Sequence, residues 1–230
     1  MKTTKLIAHR GLHKGKEIPE NSMLAFQKAV EKNYGIELDI TISKDNEIVV
    51  FHDDTLNRLC NVNGNIEDFE YSFLKKLKLY ETQEHIPLFS EVLDLTKNKV
   101  PLIIEIKKHK NIGILETKLC ELLNNYAGEY YICSFEKEIL TWFKKNKPNL
   151  KRGLIFETNI KKFQKYNKTL FLYKYFKTKP DFISLDYKLL DSSIYEFCIK
   201  NNLFLLSWTI NSKEKYKKIR EKVSSIIFEF

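Results

Sequence analysis

The sequence predicts a single (β/α)8 barrel. Short apolar strands recur between helix-length amphipathic segments, the alternation of a parallel sheet with crossover helices. Eight such strands can be read along the chain, enough to close a barrel whose reactive groups sit at the C-terminal strand ends. A length of 230 residues suits one larger domain with one core, 1–230, and hence one active site.

The strands are expected at Leu6 to His9, Gly35 to Ile40, Pro101 to Lys107, Tyr130 to Phe135, Arg152 to Glu157, Asp181 to Tyr187, Phe204 to Ile210 and Ser225 to Phe230. Helical patterns lie between them, among them Ser22 to Lys32, Ile112 to Asn124 and Ser192 to Asn201. Ser22 is suited to cap the first of these, with Asn21 as the neighbouring alternative. The second strand continues through Thr41-Ile42-Ser43, turns at Lys44-Asp45-Asn46-Glu47 and returns as Ile48 to Asp53, which reads as a hairpin. With the turn centred between Asp45 and Asn46, Asp39 falls opposite His52, their Cβ atoms about 4.5 to 5.5 Å apart. Residues 54–89 form a polar excursion, longer than an ordinary connection, with a turn at Gly64 and a short helical pattern near Tyr71 to Leu79. This insertion is expected to form part of a substrate wall.

Composition narrows the setting. Hydrophobic residues make up 43% and charged residues 30%, as in a compact globular protein. No apolar run reaches spanning length and the N-terminus lacks a signal-peptide core, so a cytoplasmic protein is expected. The four cysteines stand far apart without paired spacing, which suggests neither a zinc site nor a disulfide framework. The net charge of +9 would suit nucleic acid, a membrane surface or an anionic small molecule. The lysines are spread rather than clustered, so nucleic acid is excluded as a partner. The basic-aromatic stretch Lys161 to Lys179 is read as amphipathic helix with a solvated lysine face, and membrane contact is not expected.

The chemistry lies in charged residues set into apolar strands. Residues i and i+2 share a face, so Glu37 and Asp39 point together, as do Glu105 and Lys107. Three converging carboxylates need positive compensation, and oxygen ligands favour one hard divalent cation, Mg2+ or Ca2+. Ion pairs with Lys107 and Arg10 are the alternative. His9 ends the first strand ahead of Arg10 and Gly11: the imidazole can carry a proton, the guanidinium can grip phosphate oxygens, and the glycine permits a sharp turn. Glu20 can hold Arg10 or His9, or remain a solvated loop acid. His13, His85 and His109 read as surface or loop residues. Trp208, near the end of the seventh strand, is placed to pack against a substrate's carbon skeleton, with a core role as its rival.

Taken together, His9-Arg10-Gly11, Pro19-Glu20-Asn21-Ser22, Glu37-Leu38-Asp39, His52-Asp53, Glu105-Ile106-Lys107 and Trp208-Thr209-Ile210-Asn211, with Ile86-Pro87-Leu88 before the third strand, resemble the glycerophosphodiester phosphodiesterase family. The resemblance spans most of the chain. It implies hydrolysis of a small-molecule glycerophosphodiester to glycerol 3-phosphate and an alcohol. It further implies Glu37, Asp39 and Glu105 as metal ligands, His9 and His52 as the acid/base pair, and Arg10 and Lys107 as phosphate binders. The chain departs from the family at its C-terminus, where Phe228 and Glu229 replace an expected Thr-Asp turn, which places the closing strand in question. A related phospholipase and a non-catalytic phosphate-binding barrel are the rival readings; a glycosidase would leave two histidines without a task.

Overall fold

The computed structural model describes residues 6–158 and 167–230. Its strands are β1 (Leu6–Ala8), β2 (Gly35–Ile42), β3 (Ile48–Val50), β4 (Leu102–Ile106), β5 (Tyr130–Ser134), β6 (Arg152–Phe156), β7 (Phe182–Asp186), β8 (Phe204–Ile210) and β9 (Ser225–Phe228). Apart from β3, the return limb of the hairpin, each matches an expected strand to within two residues. The strand order is β1-β9-β8-β7-β6-β5-β4-β2-β3, and β1 also pairs with β2. This cyclic order of eight strands is that of a (β/α)8 barrel. The backbone divides into two compact units, Ala8–Tyr130 and Tyr131–Phe230, the second including the residues up to Ile7.

In the unit Ala8–Tyr130, β2 runs parallel to β4 in a register that places Asp39 beside Glu105. Every residue of β2 is buried, as expected for a strand covered on both faces. The helices α1 (Met23–Glu31), α4 (Phe89–Thr96) and α5 (Ile114–Asn124) flank these strands, while the insertion carries α2 (Asn57–Cys60) and α3 (Tyr71–Leu74). Ser22 caps α1 as anticipated, accepting from the Ala25 amide, and the helix buries Ala25, Phe26 and Ala29 at i, i+1 and i+4.

The hairpin forms, but its register differs from the expected one. Ile40 pairs with Val50 and Ile42 with Ile48, so Asp39 falls opposite Phe51, whose amide donates to the Asp39 carbonyl at 3.0 Å. The cause is the turn. Ser43 and Glu47 close a three-residue loop in which Asn46 takes a left-handed φ of 64°, a common three-residue hairpin geometry. His52 lies just beyond the strand. The insertion after it is built around a core of its own, in which Leu56, Leu59, Ile66, Leu74, Leu79 and Ile86 pack with Val49 and Phe51.

In the unit Tyr131–Phe230, strands β5 to β9 pair in parallel in sequence, and the helices are α6 (Lys137–Asn146), α7 (Asn167–Thr178), α8 (Ser193–Lys200) and α9 (Lys213–Ile219). The questioned closing strand is present: β9 pairs with β8 across a register irregularity, Phe228 is buried, and the Glu229 amide donates to the Ile210 carbonyl at 2.8 Å. Of the basic-aromatic stretch, 161–166 lies outside the described residues. The rest is α7, which buries Phe171 and Thr178 and exposes Leu170, Tyr173 and Phe176 beside Lys168 and Lys177. Its outer face is therefore mixed aromatic and basic rather than purely lysine. Among the described residues no helix is long and apolar enough to cross a membrane.

Gly11 shows how tightly the chain turns after β1. Its φ is 79°, and a Cβ there would meet the Ala25 carbonyl carbon at 2.8 Å. Gly11→Ala should therefore cost at least about 2 kcal/mol, from left-handed strain and the clash with α1. It should lower the urea midpoint at unchanged m-value; an unaltered midpoint would show that α1 yields readily.

Candidate active site

Glu37 and Asp39 alternate onto one face of β2, and parallel pairing brings Glu105 of β4 beside them. Oxygens of the three carboxylates all lie within 4.8 Å of one another. Their residues are only 4%, 1% and 9% exposed, so water cannot supply the compensation. Part of it comes from Lys107, whose Nζ lies 2.6 Å from Glu105 and 3.4 Å from Asp39. Arg10 adds its Nε 3.4 Å from Asp39 and its backbone amide, which donates to Glu37 at 3.0 Å. The carboxylate cluster and the ion pairs, alternatives on sequence, are present together.

Three acids face two cations, and the imbalance is visible in their proton affinities. Burial, followed by repulsion from Asp39 and Glu105, pushes the Glu37 carboxyl well above the usual range. Burial and Asp39 likewise raise Glu105 to about 7, against the pull of Lys107. Asp39 goes the other way. Burial would raise it, but Lys107, Arg10, His52 and a hydrogen bond from Asn21 hold it below the ordinary value. Asn21, expected only as a possible cap, clamps Asp39 reciprocally: its amide nitrogen donates to the carboxylate at 2.9 Å while its oxygen accepts from the Asp39 amide at 3.3 Å. Its left-handed φ of 55° suits an asparagine. A hard cation fits this donor set, which consists of carboxylate oxygens alone, two of them held at raised proton affinity.

Two histidines flank the acids. His9 Nε2 is 4.0 Å from Glu37. His52 pairs through Nδ1 with Asp53 at 2.7 Å. Because the Asp53 carboxylate accepts, Nδ1 is the protonated nitrogen of the neutral ring, and Nε2 is left for proton exchange. Burial lowers the His52 pKa; Asp39 and Asp53 act upward, Lys107 and Arg10 downward. The Asp53 carboxyl falls to about 2, burial being outweighed by hydrogen bonds from Arg58 and His52. Glu20 is no solvated loop acid: it accepts from Arg10 Nη1 at 2.6 Å.

Sequence reasoning read His109 as a surface or loop residue; it lies in the loop after β4, but buried. Its residue is 8% exposed, its Nδ1 donates to the Lys107 carbonyl at 2.9 Å, and its Nε2 lies 3.3 Å from Glu116 at the start of α5. Burial disfavours the charged ring, yet Glu116 and the Lys107 carbonyl together raise its pKa. Glu116, seven residues along the chain, is the signal that was available: an acid in the first turn of a helix also accepts from the Gly113 amide at 2.6 Å. His13 is half-buried and His85 exposed. Trp208, in the unit Tyr131–Phe230, is half-buried at the end of β8 and meets Phe135 edge to face at 5.7 Å. Arg58 and the role of Asp53 were not anticipated.

Comparison with known proteins agrees with this geometry. The sequence profile described as "Glycerophosphoryl diester phosphodiesterase family" matches residues 9–230. A glycerophosphodiester phosphodiesterase from Caldanaerobacter subterraneus subsp. tengcongensis is 34% identical over 240 residues, covering 97% of this chain and 93% of the relative. A glycerophosphodiester phosphodiesterase of solved structure from Thermotoga maritima superposes with a TM-score of 0.79 at 26% identity, covering 99% of this chain and 95% of that one. A phosphodiesterase from Oleispira antarctica, solved with the product sn-glycerol-3-phosphate, shares the fold with a TM-score of 0.84 at 21% identity over 98% and 93% of the two chains. The chain belongs to the glycerophosphoryl diester phosphodiesterase family and is an enzyme of that class.

Proposed function

We propose that this enzyme hydrolyses glycerophosphodiesters to glycerol 3-phosphate and an alcohol, with one divalent cation, Mg2+ or Ca2+, and with His9 and His52 as proton carriers. The observation that carries the reading is the buried group Glu37, Asp39 and Glu105 bracketed by Arg10 and Lys107. Glu37, Asp39 and Glu105 would hold the cation, which when bound supplies a Lewis acid for a glycerol hydroxyl and a phosphate oxygen.

The chain's own residues account for the remaining steps. Arg10 and Lys107 bind the phosphate oxygens and offset the charge that grows on them in the transition state. His9 removes the proton of the glycerol 2-hydroxyl, whose oxygen attacks phosphorus. His52, fixed in one tautomer by Asp53, protonates the departing alcohol. The resulting cyclic phosphate is opened by water, His52 now accepting a proton and His9 returning one. The phosphate brings negative charge beside His52, which favours its charged form despite burial.

Purified protein supplied with Mg2+ or Ca2+ should release glycerol 3-phosphate from at least one of the choline, ethanolamine, glycerol and inositol diesters, and EDTA should abolish the release. No release with any metal and diester would overturn the proposal. His52→Ala should lower kcat by about 100- to 10,000-fold, the scale of acid/base catalysis, while keeping the thermal stabilisation conferred by the cation. Unchanged turnover would remove His52 from the reaction.

The cation should also show itself in a pH-dependent stability. Glu37 and Glu105 bind protons more tightly folded than unfolded. Their penalty is absent below the unfolded pKa, about 4.3, and grows as pH rises toward about 7. The increase in Tm produced by Mg2+ or Ca2+ should accordingly be larger at pH 7.5 than at pH 5.5 by calorimetry. An equal or smaller increase at pH 7.5 would contradict the assignment. Asp39 has the opposite sign, but its window lies below about pH 4 and does not enter.

A further inference from the structure

Arg58 lies on α2 of the insertion, between the core residues Leu56 and Leu59, which anchor its backbone. A guanidinium carries five N–H donors in a planar fork. All five are committed. Nε donates to Asp53 Oδ2 at 2.7 Å, and Nη2 donates to Asp53 Oδ1 at 2.9 Å and to Glu20 Oε1 at 2.8 Å. Nη1 donates to Glu20 Oε2 at 2.8 Å and to the Tyr80 hydroxyl at 3.1 Å. Arg58 therefore has no donor left for a substrate oxygen, although it stands beside residues proposed to bind one.

The two carboxylates it holds each pass the connection on. Glu20 Oε1, the oxygen that Nη2 touches, also accepts from Arg10 Nη1 at 2.6 Å. Asp53 Oδ1, the other oxygen that Nη2 touches, is the partner of His52 Nδ1 at 2.7 Å. A continuous path thus runs Arg10, Glu20, Arg58, Asp53, His52, and a single nitrogen bridges its two halves. Both acids stay ionised through the neutral range. Glu20 lies at about 2, where burial is outweighed by Arg58 and Arg10, and Asp53 also at about 2. Removing Arg58 would leave two carboxylates facing one remaining cation and one imidazole, each free to turn away from the geometry that the fork imposes.

We infer that Arg58 is a positioning residue, which couples the phosphate-binding Arg10 to the proton-carrying His52 through Glu20 and Asp53. The inference rests on the roles proposed for Arg10 and His52. It gives the insertion a second task besides lining a wall: its separate core delivers one charge to the reaction centre. With Arg58 gone, Asp53 holds an unshared charge against His52, which raises the ring's proton affinity. The other charges facing that ring, Asp39, Lys107 and Arg10, are unchanged in number.

The test compares wild type, Arg58→Ala and Arg58→Lys as full-length, Ca2+- or Mg2+-loaded protein, on a diester that wild type cleaves. Arg58→Ala should lower kcat/KM by about 10- to 100-fold, the scale of a misplaced catalytic group, with KM raised and kcat lowered. The limb of its kcat–pH profile due to His52 should move upward. Arg58→Lys, which cannot fork two carboxylates, should recover only part of the loss. Added methylguanidinium should restore Arg58→Ala, and ammonium should not. An active wild type matched by Arg58→Ala in kcat, KM and pH profile would overturn the coupling and leave the hydrolase reading intact. Should Arg58→Ala fail to fold, Glu20→Gln and Asp53→Asn serve instead. Each should then move both KM and the pH limb of kcat, and an effect of Glu20→Gln confined to KM beside an effect of Asp53→Asn confined to kcat would overturn the coupling. NMR titration of His52 reads the coupling without turnover: a higher pKa in Arg58→Ala supports it and an unchanged one sinks it, whether or not any diester is cleaved.

Discussion

Three carboxylates withdrawn from water on two adjacent parallel strands set the terms for everything around them. Isolated charges of this kind cost several kcal/mol each in a protein interior, so Glu37, Asp39 and Glu105 persist only because positive groups converge on them. Lys107 stands one residue beyond β4, the strand of Glu105, and Arg10 in the turn after β1. These two cations do not balance the three acids, and the proposed cation would offset the surplus negative charge. The arrangement also explains why the turn at Gly11 must be so tight: a looser path would carry Arg10 away from Asp39 and its amide away from Glu37.

Around that centre the residues divide by the freedom they retain. Asp39 is held by Asn21 from two directions and by Lys107 and Arg10, so its position is over-determined. Glu37 is held by one backbone amide and His9 stands at the limit of ion-pair distance. Asp39 is thus both firmly held and the one of the three acids whose proton affinity is lowered. His109 extends the same logic outward, since its contact with the Lys107 carbonyl ties the end of β4 to Glu116 of α5.

Much of this was legible in the sequence because strand periodicity is a local property. Acids at i and i+2 within apolar strands announce themselves, and so do the hairpin and the cap at Ser22. What escaped depended on geometry that no local pattern encodes. The hairpin register was displaced by one residue because Ser43 and Glu47 close a three-residue loop with Asn46 left-handed, instead of a turn centred between Asp45 and Asn46. The burial of His109 escaped because its partner arrives on the first turn of the next helix. Arg58 sits in the polar excursion that follows the hairpin, where no local pattern singles it out. Its partners lie five and thirty-eight residues back along the chain, and only the folded insertion brings them to one guanidinium.

The insertion's private core has a bearing on how such an enzyme can be reshaped. A loop that merely overhangs a binding site can be exchanged wholesale to alter which alcohol is accepted. Here the short helix α2 carries a residue joined to both Glu20 and Asp53, so a graft replacing 54–89 would also remove the link between those two acids. Redesign should therefore leave Leu56 to Leu59 and Tyr80 in place, since they anchor and partner Arg58.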